Sequence, residues 1–254
     1  MKPAEAIALL RDDPLRHIVT LKMLTAYGDA MKLHFAEDAS GWALVSELPL
    51  GVFPYDAVTY GDQGTVVLVD GTSDSLKRRA LQRLRSGPLV VKTYDPAVQR
   101  YARDTMRAEH RATFLSFTTQ TPFSADSSVT SSAQLSKEAA KLFGSNGYTE
   151  RELSHAFASG AHWFGLWRRE QLASACFVFQ NFERVWEIGG VATDPEFRRR
   201  RLAAAVVRAA VNHLLSLDRL PRYQVVAHNQ ASVQLARSAG LQEFIRIEHY
   251  VTAE

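Results

Sequence analysis

Four consecutive arginines, Arg198–Arg201, stand where a strand-like run, Arg184–Ala192, gives way to a long helical pattern. Asp194-Pro195 supplies the turn between them. Beyond the arginines Leu202, Val206, Ala210 and Leu214 recur at four-residue steps, with Ala203, Val207 and Val211 beside them. That spacing predicts a helix from about Arg200 to Ser216 with one broad apolar face. Arg201, Arg208 and Asn212 fall on the opposite side, so the Arg201 side chain is expected in solvent, with its backbone amide left at the helix start. Cations at a helix N-terminus oppose the dipole at a cost of about 0.3–1 kcal/mol each. A bound anion removes that objection, because free amides and forked guanidinium donors suit a phosphate or pyrophosphate. The plainer alternative is a solvated helix start.

The rest of the chain sorts by hydrophobic period. Helices are expected over Pro3–Leu10 and Pro14–Tyr27, the second capped by Asp13 and ended by Gly28. Strands are expected at Met31–Ala36, Trp42–Leu48, Thr65–Val69 and, more weakly, Ala57–Tyr60. Then come a helix over Asp74–Arg85, a strand over Leu89–Thr93, a helix over Asp95–Met106 and a strand over Ala112–Thr118. Between Thr118 and Ser132 the composition turns to Thr, Ser, Pro and Asp and reads as a linker. Past it lie helices Ala133–Phe143 and Thr149–Ser159, strands His162–Trp167, Leu172–Gln180 and Arg184–Ala192, and the long helix. Strand Tyr223–Ala227, helix Gln230–Ala239 and strand Glu243–Val251 close the chain. Both halves repeat one order of elements: helices, antiparallel-type strands, then strand–helix–strand–helix–strand. The reading is an α/β protein with domains over 1–120 and 133–254, joined by 121–132.

Composition excludes several classes. At 254 residues, 46% hydrophobic and 22% charged, the chain is neither disordered nor fibrous. No apolar run approaches the roughly 20 residues of a membrane span, so no membrane partner is expected. The N-terminal apolar stretch meets Arg11-Asp12-Asp13 too early for a secretory signal, which points to the cytoplasm. Cys176 alone makes neither an internal disulfide nor a thiolate metal site, and no histidines stand at metal-ligand spacing. A net charge of +3 permits an anionic ligand without demanding nucleic acid. A nucleic-acid reading of Arg198–Arg201 predicts steeply salt-dependent binding and lacks a spread basic surface.

The segment Val185–Ala203 resembles the acetyl-CoA-binding motif of the GNAT superfamily of N-acetyltransferases, in which Gln/Arg-x-x-Gly-x-Gly/Ala cradles the pyrophosphate. Arg198 takes the first position and Ala203 the last, while Arg201 stands where the middle glycine belongs. Val226–Leu241 is similar to the family's later strand–Asn–helix–Gly signature, with Asn229 matching the asparagine that contacts the pantetheine arm. Asn229 also reads as a helix N-cap. The resemblance covers roughly Ala133–Val251, and a companion domain ahead of it is similar to the glycine N-acyltransferase-type branch. It implies a GNAT-like mixed sheet flanked by helices, with a degenerate copy of that fold at the N-terminus. It also implies acetyl-CoA as cosubstrate, no metal, a small-molecule amine acceptor, and a monomer or homodimer. The strand Arg184–Ala192 would splay from Tyr223–Ala227 to admit the pantetheine. Val191, Ala192 and Thr193 would meet it, and the amides of Arg199, Arg200, Arg201, Leu202 and Ala203 would meet the pyrophosphate.

Acyl transfer from a thioester to an amine needs a neutral amine and donors for the developing oxyanion. By two-residue alternation Glu187 shares a face with Val185, Gly189 and Val191, and Gly189 and Gly190 are expected to leave room beside it for substrate. The resemblance implies that a glutamate here acts as base. A solvent-facing carboxylate is the plainer reading. Many relatives carry a proton-donating tyrosine where Ala236 stands, and Ser232, His228, Tyr223 and Tyr250 lack its spacing. Those departures leave a second reading, a catalytically inactive CoA-binding or ligand-sensing protein. In the N-terminal half the matching loop, Asp70-Gly71-Thr72-Ser73-Asp74, is acidic and does not invite a pyrophosphate.

Overall fold

Runs of β-branched and aliphatic residues in the first half place apolar side chains on both faces of short strands, and helices cover those faces. The structure is a computed structural model that describes residues 1–84 and 87–252. It divides into two compact units: unit 1 holds Met1–Phe114 and Ile245–Glu254, and unit 2 holds Leu115–Phe244.

Unit 1 opens with α1 (Pro3–Leu10) and α2 (Ile18–Tyr27), then β1 (Lys32–Asp38), β2 (Gly41–Pro49), α3 (Pro54–Tyr60) and β3 (Thr65–Gly71). It continues through α4 (Asp74–Leu81), β4 (Leu89–Thr93), α5 (Pro96–Asp104) and β5 (Glu109–Thr118), which ends in unit 2. β1 and β2 form an antiparallel hairpin, β2 pairs antiparallel with β3, and β3 runs parallel to β4 from Thr65↔Leu89 to Leu68↔Lys92. Its core gathers Val45, Val67, Val69, Val91 and Val98 between sheet and helices.

Unit 2 adds β6 (Val129–Ser132), α6 (Lys137–Gly144), α7 (Glu150–Ala158), β7 (His162–Arg168), β8 (Gln171–Phe182) and β9 (Val185–Thr193). Then come α8 (Leu202–Ser216), β10 (Leu220–Val226), α9 (Gln230–Ala239) and β11 (Gln242–Val251). The strand order is β5-β10-β9-β8-β7-β6; β6 through β9 are antiparallel neighbours, and β9 and β10 run parallel. One face of this sheet packs on α8 and α9 through Cys176, Val178, Ile188 and Val207. The other carries α6 and α7 on Phe143, Leu153, Trp163 and Phe177. β11 leaves unit 2 and finishes in unit 1, pairing antiparallel with β4 from Glu248↔Thr93 to Val251↔Val90.

Four expectations change. Ala57–Tyr60 is helical within α3, because Pro54 starts the helix and Asp56 must turn inward to meet Lys92. α2 begins at Ile18 rather than Pro14: Asp13 accepts the Arg16 amide (3.3 Å) and so closes a separate turn first. α4 ends at Leu81, and Arg85, where it was expected to stop, lies outside the described residues. The stretch read as a linker belongs to unit 2. The Asn212 amide on α8 bonds both backbone groups of Phe123 (2.8 and 3.0 Å), and Val129–Ser132 pairs with β7.

In unit 1 the fully buried Asp56 accepts both Oδ contacts from Lys92 Nζ, at 2.5 and 2.6 Å. Burial pushes the Lys92 ammonium's pKa down and Asp56 opposes that shift. Breaking one side of such a pair leaves an uncompensated buried charge. Asp56→Asn is therefore expected to cost about 3–5 kcal/mol in denaturant unfolding, and a joint Asp56→Leu, Lys92→Met variant markedly less.

Candidate functional site

β9 and β10 pair for only three steps, Leu220↔Val185, Pro221↔Trp186 and Arg222↔Glu187, and then part. The last pair is an ion pair. Arg222 donates to Glu187 Oε2 at 2.6 Å, with both side chains nearly excluded from water. Asn181 Nδ2 donates to the same oxygen (2.6 Å), and the Gln224 amide donates to Oε1 (2.9 Å). Because Gln224 lies past the last paired residue, the Glu187 carboxylate bridges the fork itself. The second Arg222 nitrogen reaches Ser116 Oγ on β5 (3.2 Å), so the fork is tied to a third strand.

Two residues beyond Glu187, β9 bulges. Phe177 pairs with Gly189 and Ala175 with Ala192, so Gly190 and Val191 together oppose Cys176. Gly190 adopts φ +61°, and a Cβ there would lie 2.3 Å from the Phe177 ring, which makes glycine obligatory. The space expected to serve substrate at Gly190 is thus filled by Phe177. Gly189 faces Phe179 and the Tyr148 hydroxyl, at 3.0 and 3.4 Å from a hypothetical Cβ. Burial raises the Tyr148 phenol's pKa against the pull of the Gly190 backbone.

The tip of β9 exposes main chain toward the fork. Asp194 donates its amide to Ala173 on β8 (2.9 Å), and Ala192 O accepts from Ser174 Oγ (3.0 Å). Alternation therefore turns the backbone groups of Val191 and Thr193 the other way. Asn146, in the α6–α7 turn, donates to Val191 O (3.3 Å), and Arg198 Nε donates to Thr193 O (3.3 Å).

Past Thr193 the chain makes a 3₁₀ turn capped by Asp194 and then enters α8 through the arginines. Arg199 and Arg201 both take left-handed backbone, φ +61°. Arg201 occupies the conformation a glycine would adopt most cheaply, and its exposed side chain stands clear. No side chain caps α8. The neighbouring acid, Glu196, pairs with Arg169 (3.7 Å) rather than with the run, whose four members are exposed. Leu202 is buried and anchors the first turn; Ala203 beside it is half-buried.

At α9, Asn229 accepts the Ser232 amide at 3.1 Å and so is the N-cap; it is exposed. Tyr223 on β10 meets Ser232 on α9, hydroxyl to hydroxyl at 2.6 Å, and burial pushes its phenol up to about 12. His228 is exposed, Tyr250 lies on β11 in unit 1, and Ala236 is packed into the core. Cys176 is buried with its thiol pKa raised by burial, which fits packing and not nucleophilic chemistry. Sequence reasoning missed Arg222, Asn181, Asn146 and Tyr148. Asn146 and Tyr148 reach β9 from a turn some 40 residues upstream, and no local pattern marks such contacts.

The sequence model of the acetyltransferase (GNAT) family matches residues 132–241. No curated protein matches the chain. Among solved structures the chain is similar to an acetyltransferase from the GNAT family of Colwellia psychrerythraea, at 12% identity and TM-score 0.57, covering 91% of this chain and 90% of that one. A GCN5-related N-acetyltransferase from Kribbella flavida is similar at 11% identity and TM-score 0.55, covering 94% and 96%. A tandem GNAT protein from the clavulanic acid biosynthesis pathway is similar at 12% identity and TM-score 0.50, covering 92% and 87%. At these identities the likeness shows fold. Fork, bulge and basic loop all fall inside residues 132–241, the span that the sequence model of the GNAT family matches.

Proposed function

We propose that unit 2 transfers an acetyl group from acetyl-CoA to the amine of a small acceptor by direct attack. The observation that carries this reading is the fork between β9 and β10 ending beside an uncapped, arginine-lined helix start. When bound, acetyl-CoA supplies an activated acyl thioester and a pyrophosphate. The groups present fit it: the free amides at the start of α8 and the guanidinium groups of Arg198–Arg201 would hold the pyrophosphate. The outward main chain of Val191 and Thr193 would pair with the pantetheine arm, and Asn229, whose oxygen already caps α9, retains its Nδ2 as donor. The bulge at Gly190–Val191 reorients a main-chain amide, which serves to polarise the carbonyl.

Glu187 serves this site as a positioning residue and not as the base. Its oxygens take hydrogen bonds from Arg222, Asn181 and Gln224, and an acceptor so engaged is poorly placed to take a proton. The acceptor therefore reacts from its neutral fraction in solution. Attack would form the C–N bond and break the C–S bond; the acylated nitrogen would release its surplus proton to solvent, and CoA would depart as a thiolate that solvent then protonates. Tyr223, held to Ser232, keeps its proton throughout neutral pH and stabilises that charge by donating a hydrogen bond. An amino-acid-like or other small primary amine is the acceptor class suggested by the branch the sequence resembles.

Calorimetric titration of acetyl-CoA tests the donor site. Micromolar binding is expected, weakened about tenfold or more in an Arg198→Ala, Arg200→Ala variant, from the loss of two charge-assisted contacts. Absence of binding at millimolar acetyl-CoA overturns the reading. The pH profile tests the role of Glu187. With no enzymic base, kcat/KM rises about tenfold per pH unit until the acceptor's own pKa, since each unit multiplies the neutral amine. Burial raises both phenols, so neither imposes a falling limb below about pH 10. Glu187→Gln leaves that slope in place; a slope lost in the variant returns Glu187 to the role of base.

A further inference from the structure

Unit 1 contains a cavity of about 410 Å³ at the C-terminal end of β3, walled by the α1–α2 connection on one side and the first turns of α4 and α5 on the other. Its floor is a buried polar cluster. Asp70 ends the apolar run of β3 and accepts from His17 Nδ1 (2.6 Å), Thr20 Oγ1 (2.6 Å) and Tyr94 (3.2 Å). A carboxylate only accepts, so the His17 proton sits on Nδ1, and in the neutral ring Nε2 presents a lone pair. His17 lines the cavity, and among the described residues its hydrogen-bonding partners, Asp70 and Tyr94, both lie at Nδ1. An aliphatic residue at position 70 would continue the strand, so the fold alone does not call for an oriented histidine here.

The walls are rich in acceptors. Asp13, Asp74 and Asp95 face the cavity, with Asp70 behind His17, against the cations Arg16 and Lys77. Lys77 is committed to Asp74 and Asp95, and Arg16 lies over the Tyr94 ring at 5.3 Å. Asp95 is filled by Lys77 and by the amides of Ala97 and Val98. Asp13 and Asp74 each use one oxygen within the protein, in the contacts to the Arg16 amide and to Lys77. What remains toward the cavity is His17 Nε2, the second oxygens of Asp13 and Asp74, and the indole of Trp42, whose ring centre is 6.3 Å from that of His17. Hydrogen-bond acceptors, excess negative charge and an aromatic face together select a cation.

We propose that this cavity is a second ligand site, separate from the acyl-transfer fork, and that it binds a small organic molecule carrying a primary ammonium group. The ammonium donates to His17 Nε2, Asp13 and Asp74, and Trp42 covers the carbon attached to it. The loop that departs most from an anion-binding sequence, Asp70–Asp74, is then the loop that fits this unit to the opposite charge.

Calorimetric titration of the full chain with 1,4-diaminobutane, with acetate as the anionic control, tests the proposal. Diamine binding is expected without acetate binding, weakened about tenfold in each of Asp13→Asn and Asp74→Asn, by the loss of one charge-assisted contact. Both residues are exposed and both substitutions keep shape, and Lys77 keeps Asp95 when Asp74 is changed, so both variants should remain folded in the assay, with at most a small drop in unfolding midpoint for Asp74→Asn. The Arg198→Ala, Arg200→Ala variant should bind the diamine as the parent does, which separates this result from failure of the acetyl-CoA reading. Diamine binding that survives both aspartate substitutions belongs to another site and overturns the proposal. So does absence of diamine binding at about 10 mM, or preference for acetate.

Discussion

The Glu187–Arg222 pair sets the geometry on which unit 2 depends. Two parallel strands left to themselves would continue to zip, since each further step adds main-chain hydrogen bonds. Here the pair sits at the last step, and Glu187 takes the amide of Gln224, the first β10 group that a continuing ladder would have to reconsider. Asn181 and Ser116 extend the contact to strands on either side. A buried ion pair is weak evidence for stability, but loss of one member is severe, which makes such a pair suited to fixing one arrangement against its alternatives.

Downstream of the clamp the same strand does a second thing. The bulge at Gly190–Val191 shifts the register, and Phe177 packs where a side chain at position 190 would be. The outer main chain of Val191 and Thr193 then faces the opening, and the chain proceeds through two left-handed arginines into an uncapped helix. Arginine in place of glycine at 201 costs about 1 kcal/mol of backbone strain, and the left-handed turn is kept nonetheless. The backbone path, more than the identity of its residue, is what an anion at the helix start requires.

Much of this was legible in the sequence. Element order, the apolar face of α8, the basic entry to it, and the caps at Asn229 and Gly240 follow from local rules of period and capping. Contacts between distant segments were not. Glu187 was visible as a carboxylate on β9, but Arg222, which engages that carboxylate at 2.6 Å, lies 35 residues away. The glycines at 189 and 190 promised space, and Phe177 occupies part of it. α3 looked like a strand because four residues are too few to separate the periods, and the deciding partner, Lys92, comes from β4. The Ser/Thr-rich stretch looked like a linker because its few core contacts come from distant segments: the Phe123 backbone meets Asn212 on α8, and its ring packs beside Gly240 and Arg208.

A double-mutant cycle on Glu187 and Arg222, read both as unfolding free energy and as acetyl-CoA affinity, tests the central claim most directly. If the pair holds the fork open, Glu187→Ala and Arg222→Ala each weaken acetyl-CoA binding in protein that is still folded. In the double variant their effects then fail to add, by about 0.5–3 kcal/mol. Additive effects on stability with unchanged acetyl-CoA affinity would mean that the fork opens without the clamp, and would contradict the account.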